Sequence, residues 1–192
     1  DTAGYVTVTT YDGLGRRVQT ITNYIDDVLS GPVPGFDEHL ISATQYNKVG
    51  QVIKTIDPRG TETEFTYDAA GRQLTVARAA NNNDLAMASY TVYDKAGRVV
   101  RTIQSYVAQE TSDPADWAWN ATSQRWEYTN SQSQVLPVDQ RSDVAEHDQN
   151  LITEYVYDTL GRRTSVVDPV RNTSTTTYKK DGLVEAMTDP EG

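Results

Sequence analysis

Asp57-Pro58-Arg59-Gly60-Thr61-Glu62-Thr63-Glu64-Phe65-Thr66-Tyr67-Asp68-Ala69-Ala70-Gly71-Arg72-Gln73-Leu74-Thr75-Val76 reads as a turn, a strand, a second turn and a returning strand. In the first strand Thr63, Phe65 and Tyr67 share a face while Glu62 and Glu64 point the other way, because successive side chains alternate. Asp68 can accept a hydrogen bond from a backbone amide two residues on, and Gly71 can take the positive φ of a tight reversal. That predicts a short hairpin loop of three to five residues with its Gly in place. Leu74 and Val76 fall on one face of the return strand. Asp57-Pro58-Arg59-Gly60 makes the opposite turn, Pro presetting φ and Gly ending the bend.

The same pattern recurs along the chain. Tyr11-Asp12-x-x-Gly15-Arg16, Tyr67-Asp68-x-x-Gly71-Arg72, Tyr93-Asp94-x-x-Gly97-Arg98 and Tyr157-Asp158-x-x-Gly161-Arg162 are intact copies. Tyr46-Asn47-x-x-Gly50-Gln51 and Tyr178-Lys179-x-x-Gly182-Leu183 are looser ones. A seventh, imperfect copy is expected from Tyr128, where no Gly follows at the usual place. The Asp-Pro mark runs in phase. Asp57 and Asp168 lie ten residues before Tyr67 and Tyr178, and eleven after Tyr46 and Tyr157, which makes a unit of 21 residues. Asp1-Thr2-Ala3-Gly4 and Asp189-Pro190-Glu191-Gly192 fall on the same mark, so the expectation is an excerpt cut in register from a longer array.

Composition agrees with strands. The 192 residues include 25 Thr and 12 Tyr but only two Phe, a half-polar, β-favouring mix suited to thin sheets. Cysteine is absent, which removes disulfides and thiolate chemistry. A net charge of −10 without a basic patch argues against nucleic acid. No apolar run approaches the roughly 20 residues of a membrane-spanning helix. The predicted class is all-β: antiparallel hairpins of one 21-residue unit each, extending a continuous spiralling sheet over residues 1–192. Insertions are expected at 24–43, 77–89 and 105–150. The last holds all three tryptophans, Trp117, Trp119 and Trp126, and a capped, Pro-started short helix over Ser112–Trp119.

Tyr-Asp-x-x-Gly-Arg followed at this spacing by Asp-Pro-x-Gly resembles the YD repeat of Rhs proteins, of the B and C components of bacterial Tc toxins and of animal teneurins. The resemblance covers most of the chain outside the insertions. It implies hairpins wound into a hollow shell, which encloses a toxic C-terminal segment in bacterial members and forms a cell-surface adhesion scaffold in teneurins. Asn47 and Lys179 depart from it at the Asp position, and Gln51 and Leu183 at the Arg position.

Several residues admit a second reading. Arg16, Arg72, Arg98 and Arg162 could bind an anionic ligand in a row; a ladder pairing each with an Asp is favoured, because the Asp recurs in step. The repeat tyrosines could stack sugars, but a periodic strand Tyr is more often a packed ring with its hydroxyl satisfied at the edge. Asp168 and Asp189 resemble the paired Asp-Pro marks linked in Rhs proteins to self-cleavage, yet Arg171 replaces the first Gly and the plain 21-residue phase already accounts for them. His39 and His147, with Asp143, Glu146 and Asp148 near the latter, lack metal-ligand spacing. Asn120-Ala121-Thr122 and Asn172-Thr173-Ser174 are glycosylation sequons. Trp117, Trp119 and Trp126 are candidates for a partner or glycan contact, but a small satellite core capping the sheet is the favoured reading. The expectation is a non-enzymatic segment of an exported or surface protein, needing no cofactor. Its partners would be further YD repeats, an enclosed toxin segment or a surface glycan or protein. A self-assembling filament subunit is the alternative.

Overall fold

The computed structural model describes residues 6–24, 40–79, 87–106, 113–123, 125–130, 132–138 and 150–190. The chain divides into two units, Asp1–Ala86 and Met87–Gly192. His39, Asp143, Glu146, His147 and Asp148 lie outside the described residues, as do the Asp1–Gly4 mark and Glu191-Gly192.

The first unit is a meander of six antiparallel strands: β1 Val6–Tyr11, β2 Arg17–Tyr24, β3 Leu40–Tyr46, β4 Val52–Ile56, β5 Glu62–Tyr67 and β6 Gln73–Ala79, each paired with the next. Strand and turn fall where alternation and the Asp/Gly marks predict. The expected insertions are shorter than drawn, because their flanks keep pairing: Thr22 opposes Leu40, and Glu62 opposes Ala79. Residues 40–43 and 77–79 are therefore strand. On one face Lys54 bridges Glu62 at 2.7 Å and Glu64 at 2.8 Å, and these bonds push its ammonium pKa up to about 12. One cation on β4 thereby bridges two like charges on the same face of β5.

The second unit continues the plan with β7 Met87–Tyr93 and β8 Val99–Gln104. Residues 87–89, drawn as insertion, also belong to a strand, since Ser89 opposes Gln104. The 105–150 insertion follows. It holds a 3₁₀ turn, Pro114–Asp116, and a separate three-stranded sheet of β9 Ala118–Asn120, β10 Arg125–Thr129 and β11 Val135–Pro137, with β10 in the middle. The turn starts as predicted, but on Asp113, whose carboxylate accepts from the Ala115 amide; Trp117 is already extended, so the helix stops after one turn. The chain leaves and re-enters the main sheet through a neck in which Asn150 N–H donates to the Ser105 carbonyl at 3.0 Å, both residues at positive φ. Then β12 Leu151–Tyr157 pairs with β8, followed by β13 Arg163–Val167, β14 Thr173–Tyr178 and β15 Val184–Thr188.

Register explains the threonine content. Thr9, Thr20 and Ser42 lie opposite one another across β1–β3, as do Thr44, Thr55 and Thr63 across β3–β5. Thr91, Thr102 and Thr153 do the same across β7, β8 and β12. These rows occupy one phase of the repeat, two residues before a repeat Tyr, four after the Arg position and four before the next Tyr. Cross-strand Thr pairs suit a half-exposed pleated surface.

Candidate functional site

The repeated feature is the turn. Among the described residues it occurs nine times, starting at Asp12, Asn47, Asp57, Asp68, Asp94, Asn130, Asp158, Asp168 and Lys179. In each, the first residue's N–H donates to the carbonyl four residues on, and its own carbonyl accepts from the residue three on. That is a type I turn closed by a left-handed residue and a bulge, whose twist suits a hairpin. The Asp-Pro turns are thus built on the same plan as the Tyr-Asp turns, at the other end of the strands. The left-handed position holds Gly in seven turns, Ser133 in the eighth and Arg171 in the ninth.

Asp fits the first position because one carboxylate satisfies three donors. Asp68 Oδ1 accepts from the Ala70 and Arg72 amides at 2.9 Å, and Oδ2 from Arg72 Nε at 2.6 Å. Asp12, Asp94 and Asp158 repeat this with Arg16, Arg98 and Arg162. The amide of the arginine, ahead of its guanidinium, holds each carboxyl below the ordinary carboxylate range; in Asp57 the amide of Thr61 does so. The four repeat arginines are paired within their own turns and do not form a vacant anion row. In the departing copy, Asn47 Nδ2 donates to Gln51 Oε1 at 2.7 Å and Asn47 Oδ1 accepts from the Val49 and Gln51 amides. A neutral pair reproduces the charged one. At Lys179 no side-chain acceptor stands in first position, and Asp181 takes the Leu183 amide instead.

The Asn/Gln variant also corrects the seventh copy. Its turn starts at Asn130, so Thr129 and not Tyr128 stands in the Tyr position. Asn130 Nδ2 donates to Gln134 Oε1 at 2.9 Å, and Ser133 takes the left-handed place. The signal was the Asn and Gln four residues apart, the same spacing as Asn47 and Gln51.

Repeat joins repeat through Tyr and Arg. Arg16 lies 4.6 Å over the Tyr46 ring, Arg98 4.7 Å over Tyr157 and Arg162 4.6 Å over Tyr178. Each of these tyrosines donates its hydroxyl back to the carbonyl following the previous Arg: Tyr46 to Arg17, Tyr157 to Val99 and Tyr178 to Arg163, at 2.7–3.0 Å. Tyr67 does so to Val52 at 2.6 Å, and Gln51 Nε2 donates to the Gly71 carbonyl. Arg16 and Arg162 add a bond to the carbonyl of Asn47 and of Lys179. A ring covered by a guanidinium and anchored by its hydroxyl is a cation–π brace, not a sugar platform. Tyr11, first in the series, is 62% exposed.

The tryptophans form a core. Trp117 and Trp126 are 2% and 1% exposed, packed with Ile103, Tyr128, Val138 and Ile152. They are not available as surface contacts, because the inserted sheet closes on β8 and β12. Trp119 is half-buried and meets Trp126 edge-on at 6.1 Å. Asp168 has its carboxylate occupied within its turn, by the Val170 and Asn172 amides and Asn172 Nδ2. The sequon amides of Asn120 and Asn172 donate to Glu127 and Asp168. Among the described residues no group of three or more His, Asp or Glu is placed to hold a metal ion, and no helix is long and apolar enough to cross a membrane.

A family model described as RHS Repeat matches residues 46–82, the unit that includes the Asn47 and Asp68 turns. No curated protein matches the chain. Among solved structures, the chain is similar to TcdB2-TccC3-Cdc42, at 15% identity and a TM-score of 0.44 over 96% of this chain and 9% of that one. It is also similar to TcdB2-TccC3 without its hypervariable C-terminal region, at 13% identity and a TM-score of 0.40 over 97% and 11%. The chain spans about a tenth of the length of the solved chains it matches.

Proposed function

We propose that the chain, which matches the RHS repeat model at residues 46–82 and carries the YD-repeat turn along its length, is a wall segment of a large exported YD-repeat protein, part of a β-shell or scaffold. In this reading the wall encloses a toxic segment or displays a surface module, and its partners are further YD repeats and that enclosed or displayed element. The segment itself turns over no substrate and needs no cofactor. The observation that supports the reading is the brace between repeats: Arg16, Arg98 and Arg162 are each paired in their own turn yet stack on the next repeat's Tyr, so a unit is completed by its neighbour. Such nearest-neighbour coupling is how a repeat array gains stability as it lengthens.

Electron microscopy of the native full-length particle, with an intact mass on the same sample, tests it. A closed hollow body built from a chain several times this length is the expected result. An open filament of pieces near 21.3 kDa would overturn it and make this a subunit that polymerises through its strand edges. An intact mass unchanged on incubation, and equally so for Asp168→Asn, is expected of a segment that does not cut itself.

A further inference from the structure

Arg171 occupies the left-handed position of the Asp168 turn at φ 72°, where the matching residue of the Asp57 turn is Gly60 at φ 80°. The turn keeps its hydrogen bond from Arg171 N–H to the Asp168 carbonyl at 3.0 Å. A side chain there is disfavoured by clash of its Cβ with the backbone, so its presence calls for a compensating contact. The side chain supplies one. Nη1 of Arg171 donates to Glu154 Oε2 at 2.5 Å, and its Cζ lies 4.6 Å from the Trp119 ring centre and 5.9 Å from that of Trp126. Glu154 belongs to the main sheet, and Trp119 and Trp126 to the inserted sheet.

A second arginine works from beneath. Arg101, opposite Glu154 in the register, reaches Glu154 Oε1 at 3.6 Å and lies 4.3 Å over the Trp126 ring. It also donates to the carbonyls of Pro114 at 2.7 Å and Trp117 at 3.1 Å. Glu154 thus sits between an inner cation at 14% side-chain exposure and an outer one at 30%. Arg101 is anchored in the seam from a strand; Arg171 closes it from a turn that the other described Asp-Pro and Tyr-Asp repeats build with Gly.

We propose that Arg171 is a latch: it replaces the turn glycine in order to hold the inserted Trp-bearing sheet on the repeat sheet. A shorter residue would suit the turn and could not span to Trp119, and a lysine would keep the charge while losing the planar stack. The test is amide exchange read by mass spectrometry on the full protein, for the parent, Arg171→Gly, Arg171→Lys and Glu154→Gln. Arg171→Gly is expected to speed exchange across β9–β11 by about tenfold while the 168–172 turn stays at least as protected as before. Arg171→Lys is expected to fall between, and decides the matter if the Gly variant does not fold. Glu154→Gln, which weakens both cations, is expected to match or exceed Arg171→Gly. Parent-like exchange over β9–β11 in both Arg171 variants would overturn the latch. So would a loss confined to β13 and β14, which would make Arg171 a turn residue only.

Discussion

Strands β1–β6 contain no buried side chain among their described residues, whereas the inserted sheet and the strands beneath it close around Trp117, Trp126, Ile103 and Ile152, each at 2% exposure or less. One region is a single polar layer whose order comes from turns, ladder hydrogen bonds and braces between repeats. The other is a small conventional core. The comparison teaches that a sheet can be specified without a core when each reversal is chemically complete. Such a sheet cannot gain much from any one contact, and gains instead from repetition. Where the chain departs from the period, it has to bury apolar area, and the three tryptophans supply it.

The largest effect expected is at the core. Trp126→Ala should cost about 3–5 kcal/mol, as for other large-to-small core changes, measured by denaturant unfolding, with protection lost first in β9–β11. A cost below about 1 kcal/mol would mean the insertion is not held by its core and would break the comparison.

Acid should act on the repeat turns of both regions rather than on the core. Asp12, Asp57, Asp68, Asp94 and Asp158 have carboxyl pKa values lowered by folding, so their contribution is full above the unfolded value of 3.8 and is lost as pH falls through the lowered folded values. Amide chemical shifts followed from pH 5 downward, in steps to about pH 2, should move at Arg16, Thr61, Arg72, Arg98 and Arg162. They should stay still at Gln51 and Gln134, whose turns carry Asn instead. Equal movement at all seven would show that charge is not what separates the two kinds of turn.

Smaller changes sharpen the picture. Tyr157→Phe removes the hydroxyl bond to the Val99 carbonyl and should cost about 1 kcal/mol in denaturant unfolding, with the loss localised by amide exchange to β8 and β12. Ser133→Gly should stabilise β10–β11 by about 0.5–1 kcal/mol, since Ser133 holds the left-handed place of its turn at φ 63°. A destabilising Ser133→Gly would mean that its side chain holds the insertion in some other way.

The hairpins, their period and their turn chemistry were legible in the sequence. Asp68, Gly71 and Arg72 meet within five residues, and the alternation of Thr63, Phe65 and Tyr67 needs only the geometry of one strand. The pairing of arginines with their own aspartates followed from the same short spacing. The turn at Asn130 was half-legible: its Asn and Gln repeat those of the Asn47 turn, but a search led by Tyr and Gly starts one residue early. Tertiary structure alone decided that Trp117 and Trp126 face inward, that Tyr157 answers Val99 from 58 residues away, and that Arg171 reaches Trp119. Local hydrogen bonding is set by neighbours a few bonds apart, so it is written in the order of residues. Which side chains meet across strands depends on how the 44 residues between Ser105 and Asn150 return the chain to the sheet, and no local pattern carries that distance.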